Sequence, residues 1–330
     1  MDPKDCDNIG DAVKCIEEEL KAAGIAEYKR EALLMMAFAL RIRPAEVMTM
    51  RDKPIADTHR LVLSGWIERR IRREPLQYIL GEMEFWGMEI MVDRNVLIPR
   101  PETEELIEAA LNAYGKLDIH DYDTLALDLC SGSGCIAIAI AKGIPRGRVL
   151  ATDLSFMASE ATIKNALIND VVERVECLTG DLFAPIAEAG LQGKLDLIVS
   201  NPPYIKSGDI ATLEPEVRDH EPRSALDGGE DGLAFIRRII VEAPTYLRDG
   251  GLLAMEIGYD QAEDVREIIS KVEAFGEFEI KKDLAGIERI LIARKIKKAL
   301  PEKKLDKKSG KKAAKKRAKK KTAKKKIEDE

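Results

Sequence analysis

Histidine is scarce in this sequence: the three residues, at positions 59, 120 and 220, lie far apart. The five cysteines, at 6, 15, 130, 135 and 177, follow no paired spacing. Neither a zinc centre nor a disulfide framework has a local basis here, and no metal is expected. Cys130 and Cys135 sit against a glycine loop, where packing accounts for them better than ligation. No run approaches 18 consecutive apolar residues, so a membrane-spanning helix is not expected. The opening MDPKDCDN lacks a basic segment followed by an apolar stretch, so no signal peptide is expected and the cytoplasm is the natural compartment. No internal repeat is visible.

What is present is charge, unevenly placed. Hydrophobic residues make up 45% and charged residues 34% of 330 residues, and the formal net charge is -6. Residues 294–330 hold 19 basic and 5 acidic side chains, net +14, which leaves residues 1–293 with 34 basic and 54 acidic, net -20. An acidic folded body therefore carries a basic tail. From about Pro301 the tail is Lys/Ala-rich and cannot bury a core, so disorder is expected over 297–330. The tail leaves open a weak contact with nucleic acid or the ribosome.

Residues 9–80 show helical periodicity, with segments at 9–24, 27–40 and 59–73. Over 84–98 the period changes, and FWGMEIMVDRNVLI is expected to form a hairpin or two short strands around Asp93, Arg94 and Asn95. Strands and helices then alternate: TLALDL, GRVLATD, VERVECLTGD, LDLIVS and GLLAMEIG are strands, and FEIKKD and RILIARK form a closing pair. Such alternation predicts a mostly parallel sheet covered on both faces, with an antiparallel hairpin at one edge. The expected domains are a helical recognition domain (1–80), a β-hairpin linker (81–98), a catalytic domain (99–296) and the tail (297–330), in a monomer.

The loop DLCSGSGC joins the first strand of the alternating region to a helix. Its two glycines, Gly132 and Gly134, fall short of the three-glycine dinucleotide pattern, because Ala137 stands at the third position. Asp128 would repel a pyrophosphate but could accept from the ammonium of an amino-acid-bearing cofactor. Asp153 ends the second strand, where a carboxylate can take ribose hydroxyls or cap the next helix. Ligands of such sheets sit beyond the carboxyl ends of the strands, where Asp128, Asp153, Asp181 and Asn201 converge. S-adenosylmethionine suits this set better than NAD, since it needs partners for ammonium, carboxylate and ribose but none for phosphate. Leu182 and Phe183 could flank an adenine ring, or simply pack.

After LDLIVS the chain turns at Asn201-Pro202-Pro203-Tyr204. Asn201 offers an amide, Pro202 a carbonyl without a competing N–H, and Tyr204 a flat face. A planar amide or aromatic amine could donate to Asn201 and the Pro202 carbonyl while lying on Tyr204, its lone pair aimed at a methyl sulfonium. No strong base adjoins the turn, which suits late proton loss, to an acceptor or to water.

NPPY at this strand end resembles the signature of amino methyltransferases of the Rossmann-like S-adenosylmethionine class. The stretches REPLQYILGEMEFWG, VLIPRPETEELIE, DLCSGSGCIAIAIA, NPPYI and EPRSALDGGEDGL resemble the HemK/PrmC family of peptide chain release factor glutamine methyltransferases over roughly residues 10–293. The resemblance implies a class I methyltransferase sheet with a small helical N-terminal domain joined by a hairpin linker. It also implies methyl transfer to N5 of the glutamine in the GGQ motif of class-1 release factors. Asn201, Pro202 and Tyr204 would act in catalysis, and Pro203, Arg100 and Phe85 would help bind substrate, with Trp86 beside Phe85 in the linker. Asp128, Cys130, Ser131, Gly132, Ser133, Gly134, Asp153, Asp181, Leu182 and Asn201 would line the cofactor site. Cys130 departs from the glycine many members carry. A ribosomal-protein glutamine, or an adenine N6 in DNA or RNA, remains an alternative target at this stage.

Overall fold

The computed structural model describes residues 6–117 and 124–296; the tail expected to be disordered lies outside them. Five helices come first: α1 (Ile9–Ala22), α2 (Tyr28–Leu40), α3 (Pro44–Val47), α4 (Asp57–Ile71) and α5 (Leu76–Leu80). The Asn8 side chain starts α1 by accepting from the Asp11 amide at 2.9 Å. Ile9, Val13, Ile16 and Leu20, at helical spacing, are all buried on one stripe. Together with Met35, Met36, Leu63 and Ile67 they form a core belonging to these helices.

Two short strands follow, β1 (Glu82–Phe85) and β2 (Met88–Met91), paired antiparallel. The expected hairpin exists, but its turn is Trp86-Gly87, not Asp93–Asn95. Both turn residues have positive φ, 49° and 67°, the conformation that matches the twist of a two-residue hairpin. Trp86 is held there by its backbone N–H donating to Glu104 and its indole N–H donating to Glu108, each at 2.8 Å. Asp93 instead accepts from the Asn95 amide, forming a local turn after the hairpin has ended.

The rest alternates as α6 (Pro101–Gly115), β3 (Leu125–Leu129), α7 (Cys135–Gly143), β4 (Arg148–Asp153), α8 (Phe156–Ile168), β5 (Val175–Thr179), β6 (Leu195–Ser200), α9 (Pro215–His220), α10 (Ala234–Tyr246), β7 (Leu247–Glu256), α11 (Ala262–Ser270), β8 (Phe275–Lys282) and β9 (Glu288–Lys295). The sheet order is β5-β4-β3-β6-β7-β9-β8. Pairs from β5 to β7 are parallel, while β9 runs antiparallel to β7 and β8. β6 is buried at every position because helices cover both faces. Strand order reverses at β3: the chain goes to β4 on one side and later returns to β6 on the other. That reversal opens a crevice beyond the carboxyl ends of the strands.

The helical region is tied to the segment after β6 by ions. Arg70, 5% exposed, donates to Glu31 of α2 at 2.7 Å and to Glu216 of α9 at 2.9 Å. Arg73 reaches the other oxygen of Glu216 at 2.8 Å. A guanidinium this deeply buried is tolerable only because both of its edges meet carboxylates.

At Gly134, just before α7, φ is +81° and an added Cβ would lie 2.9 Å from Thr162 Cα of α8. Gly134→Ala should therefore cost about 2–4 kcal/mol, from overpacking and left-handed strain together. The measurement is the urea midpoint, and a midpoint unchanged from wild type would show that the two helices do not bear on each other there.

Candidate active site

The crevice at the strand-order reversal holds a cavity of about 290 Å³. Cys130 and Gly132 of the glycine loop, Asp153 and Ser155 at the end of β4, and Asn201 and Pro203 after β6 share its wall. Leu97 of the linker, Ser224 and Phe235 also line it. Among the described residues that line it, Asp153 is the one charged side chain and none is cationic.

Asp153 organises one end of the cavity. One oxygen accepts from the Gly132 amide at 2.9 Å and the other from the Ser155 amide at 2.8 Å. Each oxygen keeps a lone pair for a hydroxyl in the cavity. Burial pushes this carboxyl above its usual range, and the two amides pull it back. The loop is further fixed by Ser131 N–H donating to the Thr152 carbonyl at 3.1 Å and Thr162 Oγ1 donating to the Gly132 carbonyl at 3.2 Å. At Gly132, φ is +55° and an added Cβ would meet no atom within 4 Å, so the missing side chain leaves room along the wall. An acidic end, a bare glycine edge and, among the described residues, a wall without cations fit S-adenosylmethionine and do not fit a pyrophosphate.

The NPPY turn forms the other end. Asn201 Nδ2 donates to Thr103 Oγ1 at 3.0 Å, and Thr103 Oγ1 donates to Glu256 Oε2 at 2.8 Å. Tyr204 donates its phenolic O–H to the second oxygen of Glu256 at 3.0 Å. Burial raises the Glu256 carboxyl, opposed by these two hydroxyls and by Arg289. Burial, reinforced by the Glu256 charge, raises the Tyr204 phenol, which stays protonated at neutral pH. The EPRSALDGGEDGL segment closes behind the turn: Ile205 N–H donates to the Leu226 carbonyl at 3.0 Å and Gly228 N–H to the Ile205 carbonyl at 2.7 Å. A side chain at Gly228 or Gly232 would strike the Tyr204 backbone, at 2.8 and 2.4 Å.

Several residues expected at the site stand outside the cavity wall. Asp128 is 1% exposed and accepts from the Ala137 amide at 3.0 Å, beneath the loop. Asp181 is bridged to Arg238 through both oxygens. Leu182 packs in the core with Phe183, which stacks on Tyr246 at 4.9 Å between centroids. Phe85 is 1% exposed in the core on the other face of the sheet. Arg100 donates to the buried Glu221 at 2.5 Å, locking the linker onto the EPRSALDGGEDGL segment. Ser131 and Ser133 shape the loop through backbone groups, with the Ser133 carbonyl accepting from Asn165. Thr103, Glu256 and Phe235 were not foreseen. The one signal in the sequence for Glu256 is a lone carboxylate in the apolar strand GLLAMEIG.

Gly132→Ala should separate binding from folding. Stability should fall by only about 1 kcal/mol, the cost of a left-handed non-glycine residue, while S-adenosylmethionine affinity by calorimetry should fall at least about tenfold, a 1.4 kcal/mol loss. Unchanged affinity would place the cofactor elsewhere.

Residues 11–81 match the PrmC N-terminal domain and residues 116–214 the methyltransferase small domain. Release factor glutamine methyltransferase from Thermodesulfovibrio yellowstonii is 41% identical over 268 residues, covering 81% of this chain and 93% of the relative. Its counterpart from Geobacter sulfurreducens is 39% identical over 275 residues, covering 83% and 92%. The solved hMettl16 catalytic domain aligns with a TM-score of 0.51 at 16% identity, over 71% of this chain and 81% of that one, a likeness of fold alone. With relatives of 39–41% identity matched over more than nine-tenths of their length, the chain belongs to the release factor glutamine methyltransferase family.

Proposed function

We propose that this chain transfers a methyl group from S-adenosylmethionine to the side-chain amide nitrogen of the glutamine in the GGQ motif of class-1 peptide chain release factors. The observation that carries the reading is the shared cavity, with Gly132 and Asp153 at one end and Asn201 and Pro203 of the turn at the other. The cofactor supplies an electrophilic methyl on a sulfonium. Asp153 would hold the ribose hydroxyls, and the loop from Cys130 to Gly134 would lie along the methionyl part.

An amide nitrogen is a poor nucleophile because its lone pair is delocalised into the carbonyl. The turn counters this by position. Asn201 Oδ1 and the Pro202 carbonyl would each accept one N–H of the glutamine amide, and Tyr204 would support its plane. The nitrogen is then fixed along the line to the methyl group, which replaces a search in solution by a held geometry. The same two acceptors stabilise positive charge as it develops on nitrogen. Once the methyl is bonded, the nitrogen's proton is acidic enough to leave to water, so no strong base is required at the turn.

A nucleic-acid adenine is the weaker reading. The net charge of -20 over residues 1–293 opposes phosphate contacts. A glutamine in a ribosomal protein has nothing specific in its favour, and the relatives' names point to release factors. We assign the helical region to recognition of the protein substrate and the basic tail to an accessory role.

Labelled methyl should pass from S-adenosylmethionine to purified release factor and not to a GGQ→GGA variant; equal labelling of both would refute the assignment. Asn201→Ala should lower turnover on the order of 10²–10³-fold, the scale for removing one preorganised polar group, with cofactor affinity held within about threefold, under 0.7 kcal/mol. A matching loss of cofactor affinity would move Asn201 to the donor end. Deleting residues 301–330 should leave activity on free release factor within about twofold, under 0.5 kcal/mol of barrier, in the same radiolabel assay. A larger loss would give the tail a direct part in the reaction.

A further inference from the structure

Asparagine can present either its carbonyl or its NH2 to a ligand, and the two choices recognise opposite partners. For the turn to accept from a glutamine amide, Asn201 must keep its oxygen forward. Nothing within NPPY itself enforces that. The hydrogen-bond chain behind the turn does.

Glu256, 1% exposed, is the end of that chain. Both of its oxygens accept, one from the Thr103 hydroxyl at 2.8 Å and the other from the Tyr204 hydroxyl at 3.0 Å. Thr103 has a single hydroxyl hydrogen, and Glu256 takes it. Toward Asn201 the Thr103 oxygen therefore offers only a lone pair, and the group it meets at 3.0 Å must be the NH2. Thr103 is 2% exposed, so no water competes for the place. The polarity of one buried carboxylate thus passes through a threonine to the amide of Asn201, and the same carboxylate anchors Tyr204.

We propose that Thr103 and Glu256 are positioning residues that hold Asn201 with Oδ1 toward the substrate, and so select a glutamine amide over a glutamate carboxylate. The proposal rests on the amide-clamp reading above. Thr103 lies in the first turn of α6, where Pro101 fixes the helix start. This gives the IPRPETE stretch a chemical task besides linking domains.

In Thr103→Val the hydroxyl is lost at equal volume, and Asn201 is free to turn over. The value of kcat/KM on release factor should fall about 10–100-fold, the scale for stranding a buried hydrogen-bonding group. Inhibition by a release factor whose target glutamine is replaced by glutamate should tighten about fivefold or more, one N–H bond's worth. S-adenosylmethionine affinity should be unchanged, and Thr103→Ser should restore wild-type behaviour. Glu256→Gln introduces a donor at the end of the chain and should shift glutamine-over-glutamate discrimination in the same direction, so the test survives if the valine variant does not fold. An independent readout uses side-chain ¹⁵NH2 resonances, with Asn201 assigned by its loss in Asn201→Ala. One amide proton should exchange slowly in wild type and quickly in Thr103→Val, whatever the substrate proves to be. A slow proton released by Thr103→Val in an enzyme that labels no release factor would preserve the positioning and sink the substrate reading. Active variants with unchanged discrimination and an unchanged Asn201 resonance would overturn the positioning.

Discussion

The reversal of strand order at β3 is the constraint on which the rest depends. Because the chain leaves β3 for β4 on one side and β6 lies on the other, the two connections diverge and cannot fill the space between them. A glycine loop must turn out of β3, and a second turn must leave β6 facing it. One carboxylate then stabilises the gap. Asp153 accepts from Gly132 of one connection and Ser155 of the next, so loop and helix start share a single anchor. Two charge-assisted bonds of this kind offset part of the cost of burying the group, whose carboxyl still stays above its usual range.

The architecture was legible because it is written in local periodicity. Alternating apolar strands and helices, and a closing pair with no helix between, gave the sheet and its antiparallel edge. Gly132, Cys130, Asp153, Asn201 and Pro203 were legible as cavity residues because they occupy the connections themselves. The residues that fell elsewhere were placed by the same rule, with side-chain direction left out. Asp128 belongs to β3 and accepts from the Ala137 amide in the first turn of α7, a helix N-terminus that suits a carboxylate. β5 stops at Thr179, and Gly180 turns the chain at φ +156°, carrying Asp181 out to Arg238. Phe85 precedes a turn that the sequence suggested lay further on. Thr103 and Glu256 stand 153 positions apart, and no local pattern connects two residues at that separation.

The helical region bears on the site through charge. Arg70 and Arg73 hold Glu216, and α9 lies between the NPPY turn and the segment that pairs with it. Arg100 holds Glu221 one residue beyond α9. The stretch that closes over Tyr204 is therefore fastened at two carboxylates by three guanidiniums from earlier in the chain. A substrate engaged by the helices would meet a turn whose cover is already set, which reduces the ordering left for binding.

Cys130 shows how firmly the loop is imposed. Its φ is +60°, a conformation in which a non-glycine residue is strained by about 1–2 kcal/mol. Many relatives avoid that cost with glycine, as the resemblance implies. Here the surrounding ties outweigh it: Ser131 N–H to Thr152, Gly132 N–H to Asp153, Gly134 N–H to Ser131, and Thr162 to the Gly132 carbonyl. Each such bond contributes about 0.5–1.5 kcal/mol net, so four suffice to hold one residue in the left-handed region. Burial and the nearby charge of Asp153 both raise the thiol's pKa, which disfavours the thiolate. Its position is the loop's doing, and the loop's shape is set by Asp153.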